Sequence, residues 1–165
     1  MLIRILFLTL ASTLLLACAS GPRFFTYRGP EVTRIVVHKE NRLMELWHHD
    51  TVLRAFEIQL GFNPVGHKIQ RGDGRTPEGD YIVDRRNPRS SFHLSVGINY
   101  PRAEDIERAR ELGVNPGGDI FFHGRGPNHR RARGDWTAGC IAVTDREMEV
   151  IYAMVQDGTA VTINP

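Results

Sequence analysis

The pattern that most constrains the fold is the run of alternating apolar and polar residues between positions 32 and 60. Residues 32–38 are rich in β-branched residues, and the strand pattern resumes over 42–49 and 51–60 after short polar turns at 39–41 and 49–50. Period-2 alternation interrupted by short polar turns is typical of strands that pair antiparallel with their neighbours in the chain. The sequence therefore predicts a three-stranded antiparallel meander at the start of the domain.

The remaining chain predicts more strands and two short helices. A helix is expected over 101–112, where apolar residues recur at helical spacing and Gly113 is a stop signal. A second helix opens at the capping box Thr144 to Glu147 and ends at Gly158. Together these features predict a mainly β fold with two short helices, with further strands over 81–84, 92–99, 120–122, 141–143 and 160–163.

The first 17 residues predict a signal peptide. Arg4 precedes an apolar stretch over 5–16 that is too short for a membrane span. The following Leu15-Leu16-Ala17-Cys18 resembles the bacterial lipobox, in which the cysteine is acylated and becomes the mature N-terminus. Ala19, rather than Asp, comes next, which in Gram-negative lipoproteins indicates a periplasmic protein anchored to the outer membrane. An ordinary cleaved signal, with Cys18 lost or free, remains the alternative.

Three segments follow from this interpretation: a signal peptide over 1–17, a lipidated cysteine with a tether over 18–30, and a folded domain over 31–164. Removing the signal peptide leaves 148 residues, enough for one domain with a core, and a net charge near +1. That balance excludes a dedicated nucleic-acid binder, which would be strongly basic. If Cys18 is lipidated, Cys140 has no disulfide partner; it is then either a used thiol or an inert buried cysteine.

The residues with the most chemical potential lie between 119 and 143. His123 closes one short apolar strand, and Cys140 opens the next. A free thiol with a pKa near 8.5 is mostly protonated at neutral pH, so a nucleophilic cysteine needs a base within hydrogen-bond reach. If the two strands are neighbours, His123 is the candidate base for a thiolate–imidazole pair that transfers acyl groups.

Neighbouring residues predict further parts of such a site. Gly139 permits close approach of the backbone, and the N–H groups of Gly139 and Cys140 are candidates for an oxyanion hole. Thr137 is a candidate hydroxyl donor to the same place, and Trp136 either walls the cleft or simply packs. His93 and Ser95 share one face of the strand predicted over 92–99 and are expected to line the cleft, in this case as substrate-binding residues.

Other chemistries fit the sequence less well. The candidate zinc ligands lack the short spacings typical of a structural zinc site: His93, His123, His129 and Cys140. There is no Gly-x-Ser-x-Gly motif of a serine hydrolase, and the glycine-bearing loop over 61–79 does not have the spacing of a phosphate-binding loop. The sequence thus indicates neither a metal nor an organic cofactor.

The pair His123-Gly124, followed by Thr137-Ala138-Gly139-Cys140-Ile141, resembles the signature of the L,D-transpeptidase catalytic domain, the YkuD-like family. The segments 72–79, 92–95 and 99–101 are similar to upstream segments of the same family, and 135–137 is similar to its short, periplasm-facing members. The resemblance covers about 31–164, so it implies that the folded domain is an L,D-transpeptidase catalytic domain with a β-sandwich-like fold.

This resemblance also implies a reaction. The cysteine attacks the carbonyl of a meso-diaminopimelate residue in a peptidoglycan stem peptide, the terminal D-Ala leaves, and the acyl group passes to an amine or to water. By position, Cys140 is the implied nucleophile and His123 the general base and later acid. The carbonyl of Gly124 would orient the imidazole, and Thr137 with the amides of Gly139 and Cys140 would line the oxyanion site.

One residue departs from the family pattern, because Ala142 stands where many members carry Arg. Ala at this place resembles the branch that includes amidases acting on peptidoglycan–lipoprotein bonds. An L,D-carboxypeptidase or amidase therefore remains an alternative to transfer, with an amine acceptor or a cell-wall lipoprotein as a further partner. A non-catalytic peptidoglycan-binding lipoprotein is an alternative of another class. An arginine that follows His123 is predicted to meet the substrate carboxylate, unless this loop is only solvated: Arg125, Arg130, Arg131 or Arg133.

Overall fold

The computed structural model describes residues 21–165, in which eight strands form one sheet that is accompanied by two helices. The helices are α1 (Ala103–Glu111) and α2 (Asp145–Met154). This arrangement confirms the predicted mainly β fold with two short helices. The strands are β1 (Arg34–His38), β2 (Leu43–His48), β3 (Thr51–Glu57), β4 (Gly79–Asn87), β5 (Ser95–Ile98), β6 (Phe121–His123), β7 (Ile141–Ala142) and β8 (Ala160–Asn164).

The first three strands form the predicted antiparallel meander, with β2 paired to both β1 and β3. Alternate side chains of β1 and β2 enter the core, and Ile35, Val37, Met44 and Leu46 are all fully buried. The alternation in the sequence is thus the alternation of a sheet with one covered face.

The order of the strands in the sheet is β3-β2-β1-β8-β4-β5-β6-β7. The last strand of the chain therefore lies in the middle, parallel to β1 and antiparallel to β4. The sheet is curled: the chain that leaves β3 reaches β7 at the far end of the order, where Gln59 and Ala142 exchange two backbone hydrogen bonds of 2.8 Å. This curl brings residues from both ends of the sheet to β7.

The two strands that flank the candidate pair are neighbours, as predicted. β6 runs parallel to β7, with Phe122 opposite Ile141, and antiparallel to β5, with Ser95 opposite His123. The strand predicted over 92–99 is shorter in the structure, because the chain turns before Ser95 and His93 adopts a left-handed conformation with φ of 79°.

Helix α2 covers the core with Met148, Ile151 and Met154, and its capping box is formed as predicted. It ends at Met154, earlier than the Gly158 stop signal implied, and an extended residue follows. Helix α1 buries little, chiefly Ala109 and the carboxylate of Asp105. Within the described part of the chain, neither helix is long and apolar enough to cross a membrane.

The tether runs beside α2. The N–H of Arg23 donates to the Glu149 carboxylate at 2.9 Å, and the rings of Phe24 and Tyr152 meet edge to face with centroids 6.0 Å apart. Tyr27 packs against the core, whereas Phe24 and Phe25 remain largely exposed. The predicted signal peptide and Cys18 lie outside the described residues.

Candidate active site

His123 lies at the end of β6 and is almost completely buried. Its Nδ1 is 2.5 Å from the carbonyl oxygen of Gly124. Because a carbonyl can only accept, Nδ1 must be the donor, which leaves Nε2 as the basic nitrogen of the neutral ring. Burial lowers the pKa of His123, the Gly124 hydrogen bond opposes this shift, and His129 lowers the pKa further. The structure thus places the Gly124 carbonyl where the predicted orienting group would be.

Cys140 directly precedes β7 and is partly exposed. Since Ile141 lies opposite Phe122 and Ala142 opposite His123, Cys140 comes two residues before the level of His123 along the neighbouring strand. The thiol donates a hydrogen bond of 3.4 Å to the carbonyl oxygen of Asp119. Protein packed around the sulfur raises the pKa of the Cys140 thiol by desolvating the thiolate.

The electrostatics of this pair favour a neutral resting state. Burial raises the pKa of Cys140 and lowers that of His123, so both shifts oppose a thiolate beside an imidazolium. The thiolate–imidazole pair expected from the sequence therefore has to form as the proton moves to Nε2. General-base catalysis of this kind suits a buried histidine with a free ring nitrogen.

The turn before Cys140, residues 135–139, is here called the cysteine turn. The hydroxyl of Thr137 donates to the carbonyl oxygen of Cys140 at 2.6 Å and accepts from the N–H of Gly139 at 3.2 Å. The Thr137 hydroxyl and the Gly139 N–H, both predicted for the oxyanion site, are therefore already hydrogen-bonded. The N–H of Cys140 takes no part in these two bonds. A role of Thr137 and Gly139 in binding an oxyanion stays a prediction, since it needs these bonds to rearrange.

Position 139 requires glycine because the backbone of Arg75 approaches it closely. Its φ is +130°, and a Cβ on it would lie 2.6 Å from the carbonyl oxygen of Arg75. On the same side, the hydroxyl of Thr76 donates to the carbonyl oxygen of Gly139 at 2.9 Å. The cysteine turn therefore rests on the segment around Arg75 and Thr76, a contact for which the sequence offered no signal.

Aromatic side chains form a wall beside His123. Phe92 lies 4.5 Å from the imidazole between ring centroids, and Trp136 lies 5.7 Å from it. Trp136 donates from Nε1 to Gln59 at 3.0 Å, and His129 stacks on the Trp136 ring at 4.5 Å. Trp136 therefore lies where the predicted cleft wall would be. Phe92 and His129 were not predicted for the wall, because alternation placed Phe92 in the core.

Of the two residues expected to share a face, only Ser95 lies beside His123. Ser95 is buried on β5 and directly opposite His123 in the antiparallel register. His93 precedes the strand, and its Nε2 lies 2.9 Å from the carboxylate of Glu149 on α2. His93 and Ser95 therefore do not share a strand face as expected, because the left-handed turn at His93 ends the alternation before β5 begins, and their role in binding substrate stays a prediction.

Residues 124–134 form an arginine loop above this wall. With Gln59, Ala132 and Gly134, four of its side chains line a cleft of about 630 Å³: Arg125, Arg130, Arg131 and Arg133. The Nε of Arg125 is buried without a hydrogen-bond partner among residues 21–165. Ala142 is fully buried in β7 between His123 and Gln59, so this position offers no cation, and the loop arginines line the cleft beside Gln59.

Residues 32–163 match the family model described as YkuD, the L,D-transpeptidase catalytic domain. The match covers most of the chain. This protein belongs to the L,D-transpeptidase catalytic domain family.

Relatives of known sequence or structure agree with this placement. The chain is 27% identical over 128 residues to the Escherichia coli (strain K12) protein "Putative L,D-transpeptidase YafK", covering 73% of this chain and 46% of that protein. Its fold resembles a variant of the helical cell shape determining protein Pgp2 from Campylobacter jejuni, with TM-score 0.62, 25% identity, and 88% and 51% of the two chains covered. The L,D-transpeptidase of Xylanimonas cellulosilytica aligns with TM-score 0.54 and 16% identity, over 84% and 63% of the two chains. The chain thus spans about half the length of YafK and Pgp2.

Proposed function

We propose that this protein is a periplasmic peptidoglycan L,D-transpeptidase that acts on stem peptides at meso-diaminopimelate through an acyl-enzyme on Cys140. The main support is the arrangement around the neighbouring strands β6 and β7. There, a buried His123 is held at Nδ1 by the Gly124 carbonyl, and a partly exposed cysteine directly precedes the neighbouring strand, inside a domain of the L,D-transpeptidase family.

The proposed acylation step begins with the neutral pair. As the carbonyl carbon of diaminopimelate approaches, the Cys140 proton passes to Nε2 of His123 and the sulfur–carbon bond forms. The imidazolium then protonates the nitrogen of the D-Ala, the peptide bond breaks, and D-Ala leaves with its amine. Acylation thereby returns His123 to its neutral form.

Deacylation follows the same path in reverse with a new nucleophile. An acceptor amine attacks the thioester, gives its proton to His123 Nε2, and forms a peptide bond as the sulfur leaves. The proton then returns to the Cys140 sulfur, so no redox partner or metal is needed to balance the step. The aromatic wall of Phe92 and Trp136 would shelter the thioester from water.

Hydrolysis is a second candidate, and Ala142 is the observation that favours it. This residue is fully buried, so no side chain from this position can hold an acceptor or a substrate carboxylate. With water as nucleophile, the same acyl-enzyme would yield an L,D-carboxypeptidase or an amidase that releases a lipoprotein from peptidoglycan. We place binding of the substrate carboxylate in the arginine loop, at Arg125 in the first instance.

Incubation of the purified protein with muropeptides, followed by mass spectrometry, tests the nucleophile. We expect a stem-peptide adduct on Cys140 in wild type, and none in Cys140→Ala. His123→Ala should lose acylation. His38→Ala is a matched change on β1, which is separated from β6 by three strands of the sheet, and it should retain acylation. An unmodified thiol with unchanged muropeptides would instead indicate a non-catalytic peptidoglycan-binding protein.

Adding a competing amine, glycine or a D-amino acid, separates the two reactions. Exchange products that contain the added amine indicate transfer, and net cleavage without exchange indicates hydrolysis.

The location is a separate proposal, which rests on the lipobox-like sequence at Cys18. Acylation of this cysteine would anchor the domain to the outer membrane on its periplasmic side. Cys18→Ser should then release the protein into the soluble periplasmic fraction. Continued membrane fractionation of that variant would contradict the anchor and leave the proposed reaction untouched.

A further inference from the structure

Asp145 is the first residue of α2, yet its side chain bonds outside its own helix. Oδ1 accepts the backbone N–H of Arg125 at 2.7 Å and that of Gly126 at 2.8 Å. Capping of α2 is done by other groups, the reciprocal bonds between Thr144 and Glu147. The Asp145 carboxylate therefore ties the start of the arginine loop to the start of α2.

Residues 124–126 are packed so closely on two sides that no side chain fits at Gly124 or Gly126. A Cβ on Gly124 would lie 2.6 Å from Oδ1 of Asp145 and 2.8 Å from the carbonyl oxygen of Phe92. At Gly126, φ is +61° and a Cβ would lie 2.4 Å from the carbonyl oxygen of Ser91. The backbone of 124–126 is thus clamped between the Asp145 carboxylate and the chain at 91–92.

This clamp acts on the group that orients the histidine. The Gly124 carbonyl accepts the hydrogen bond from His123 Nδ1, and the two N–H groups bound by Asp145 belong to the next two residues. Movement of this short segment would move the carbonyl relative to the ring. A misplaced carbonyl would no longer favour the tautomer that carries its proton on Nδ1 and leaves Nε2 basic.

We propose that Asp145 is a positioning residue, whose carboxylate holds the Gly124 carbonyl in place and thereby fixes the tautomer and orientation of His123. This inference rests on the proposed function for its kinetic consequence. Its structural consequence, the tautomer of His123, can be measured without any turnover.

The chain offers a matched control in Glu147, the other acid in the first turn of α2. Its carboxylate caps the helix through Thr144 and makes no hydrogen bond to the arginine loop within residues 21–165. Asp145→Ala and Glu147→Ala should therefore both weaken the start of α2, but only the first should release the Gly124 carbonyl. Asp145→Asn keeps an acceptor oxygen for the two N–H groups and serves as the conservative variant.

In acylation assays we expect Asp145→Ala to lower kcat about 30-fold, since removing the group that orients a catalytic base costs roughly 10- to 100-fold, while KM changes little. Glu147→Ala should stay within about threefold of wild type, and Asp145→Asn should recover most of the loss. Asp145→Ala with wild-type kcat, or Glu147→Ala with an equal loss, would overturn the assignment.

Nitrogen-15 NMR of the histidines reports the tautomer of His123, which would not change if Asp145 only stabilised the fold. We expect wild-type His123 to be the Nδ1–H tautomer above its pKa, and Asp145→Ala to show a mixture of tautomers. A wild-type ring protonated at Nε2, or an unchanged ring in Asp145→Ala, would overturn the proposal. If wild type shows the expected tautomer but modifies no muropeptide, the proposed function fails while the positioning role stands. If Asp145→Ala does not fold, Asp145→Glu, whose longer side chain displaces the carboxylate from the two N–H groups, takes its place: a mixture of tautomers supports the proposal and an unchanged ring overturns it.

Discussion

Two loops meet at the cysteine turn and are held in opposite ways. Residues 61–79, which we call the anchored loop, are fixed by charged side chains that are themselves buried. The arginine loop over 124–134 is tied at its start by Asp145 and stacked through His129, but its cations remain largely exposed. The contrast indicates that the anchored loop sets the backbone geometry of the cysteine turn, whereas the arginine loop presents positive charge to a bound ligand.

Two buried centres hold the anchored loop. Nζ of Lys39, which is 2% exposed, donates to the carbonyl oxygens of Gly66 and Thr76 and to the carboxylate of Glu78. The carboxylate of Asp73 pairs with Lys68 at 2.8 Å and accepts three backbone N–H groups, those of Ile69, Gln70 and Arg75. Because Thr76 and Arg75 touch Gly139, these centres support the cysteine turn from below.

The largest loss of stability is expected for Gly139→Ala in the cysteine turn, with Gly134→Ala in the arginine loop as the matched comparison. Gly139→Ala adds a Cβ 2.6 Å from the Arg75 carbonyl oxygen at a φ of +130°, whereas Gly134→Ala in the arginine loop meets nothing within 4 Å, at a φ of +62°. Steric overlap and strain together should cost Gly139→Ala about 4 kcal/mol of unfolding free energy, and the φ alone should cost Gly134→Ala about 1 kcal/mol. Urea denaturation measures both. Equal losses would show that the cysteine turn is as adaptable as the arginine loop.

A change at Lys39 tests the anchored loop at its buried charge. Lys39→Met leaves the Glu78 carboxylate and two carbonyl oxygens without their donor, which should cost about 3 kcal/mol. Arg131→Met, in the exposed part of the other loop, should change stability by less than about 0.5 kcal/mol. Thermal or urea unfolding of both variants checks the difference. Adding Glu78→Gln to Lys39→Met should restore part of the loss, and a double variant no more stable than the single one would count against this ion pair.

Acid should weaken the anchored loop through Asp73. Burial alone would raise the pKa of Asp73, but bonds from Lys68 and from three backbone N–H groups outweigh it and lower the pKa to about 2, from 3.8. Because the folded-state pKa lies below the unfolded value, the stabilisation is complete above about pH 4 and is lost as the pH falls towards 2. Wild type should exceed Asp73→Asn by about 2 kcal/mol at neutral pH, and the gap should narrow with acid. Denaturation at pH 7, 4 and 3 measures it; a gap independent of pH would contradict this account.

The smallest effect should follow a change in the arginine loop itself. Arg125→Ala should leave unfolding free energy within about 0.5 kcal/mol of wild type, because its buried Nε has no partner to lose within residues 21–165. If Arg125 meets the substrate carboxylate, KM should rise about fivefold, since an exposed charged contact is worth about 1 kcal/mol, with kcat nearly unchanged. Arg89→Ala, a loop arginine outside this cleft, is the kinetic control. Unchanged KM in Arg125→Ala would remove the proposed carboxylate contact.

Much of the fold followed from local patterns because those patterns are local in the structure. The meander of β1 to β3 and the start of α2 each depend on residues close in the chain, so alternation and a capping box were enough to predict them. The insertion of β8 beside β1 and the pairing of Gln59 with Ala142 join distant segments. No periodicity distinguishes those partners from others.

The pair His123 and Cys140 was predicted from the sequence because chemistry restricts the candidates: few residue types can serve as nucleophile and base, and two short strands frame them. The sequence suggested Gly124 and Trp136 as supports of that pair but did not place the others. His93 was expected beside Ser95 and turns to Glu149 instead, since a single left-handed residue ends the alternation. Asp145 was interpreted only as part of a helix start, and its contacts with Arg125 and Gly126 arise from a partner 20 residues away.

The sequence by itself thus determined the class of the fold, the family, and the two residues that the proposed reaction needs most. Tertiary structure alone decided which nitrogen of His123 is free, why Gly139 and Gly124 admit no side chain, and which arginines line a common cleft. The reason is physical: residue types and short-range periods are written in the chain, whereas orientation, desolvation and close approach depend on atoms brought together from distant positions.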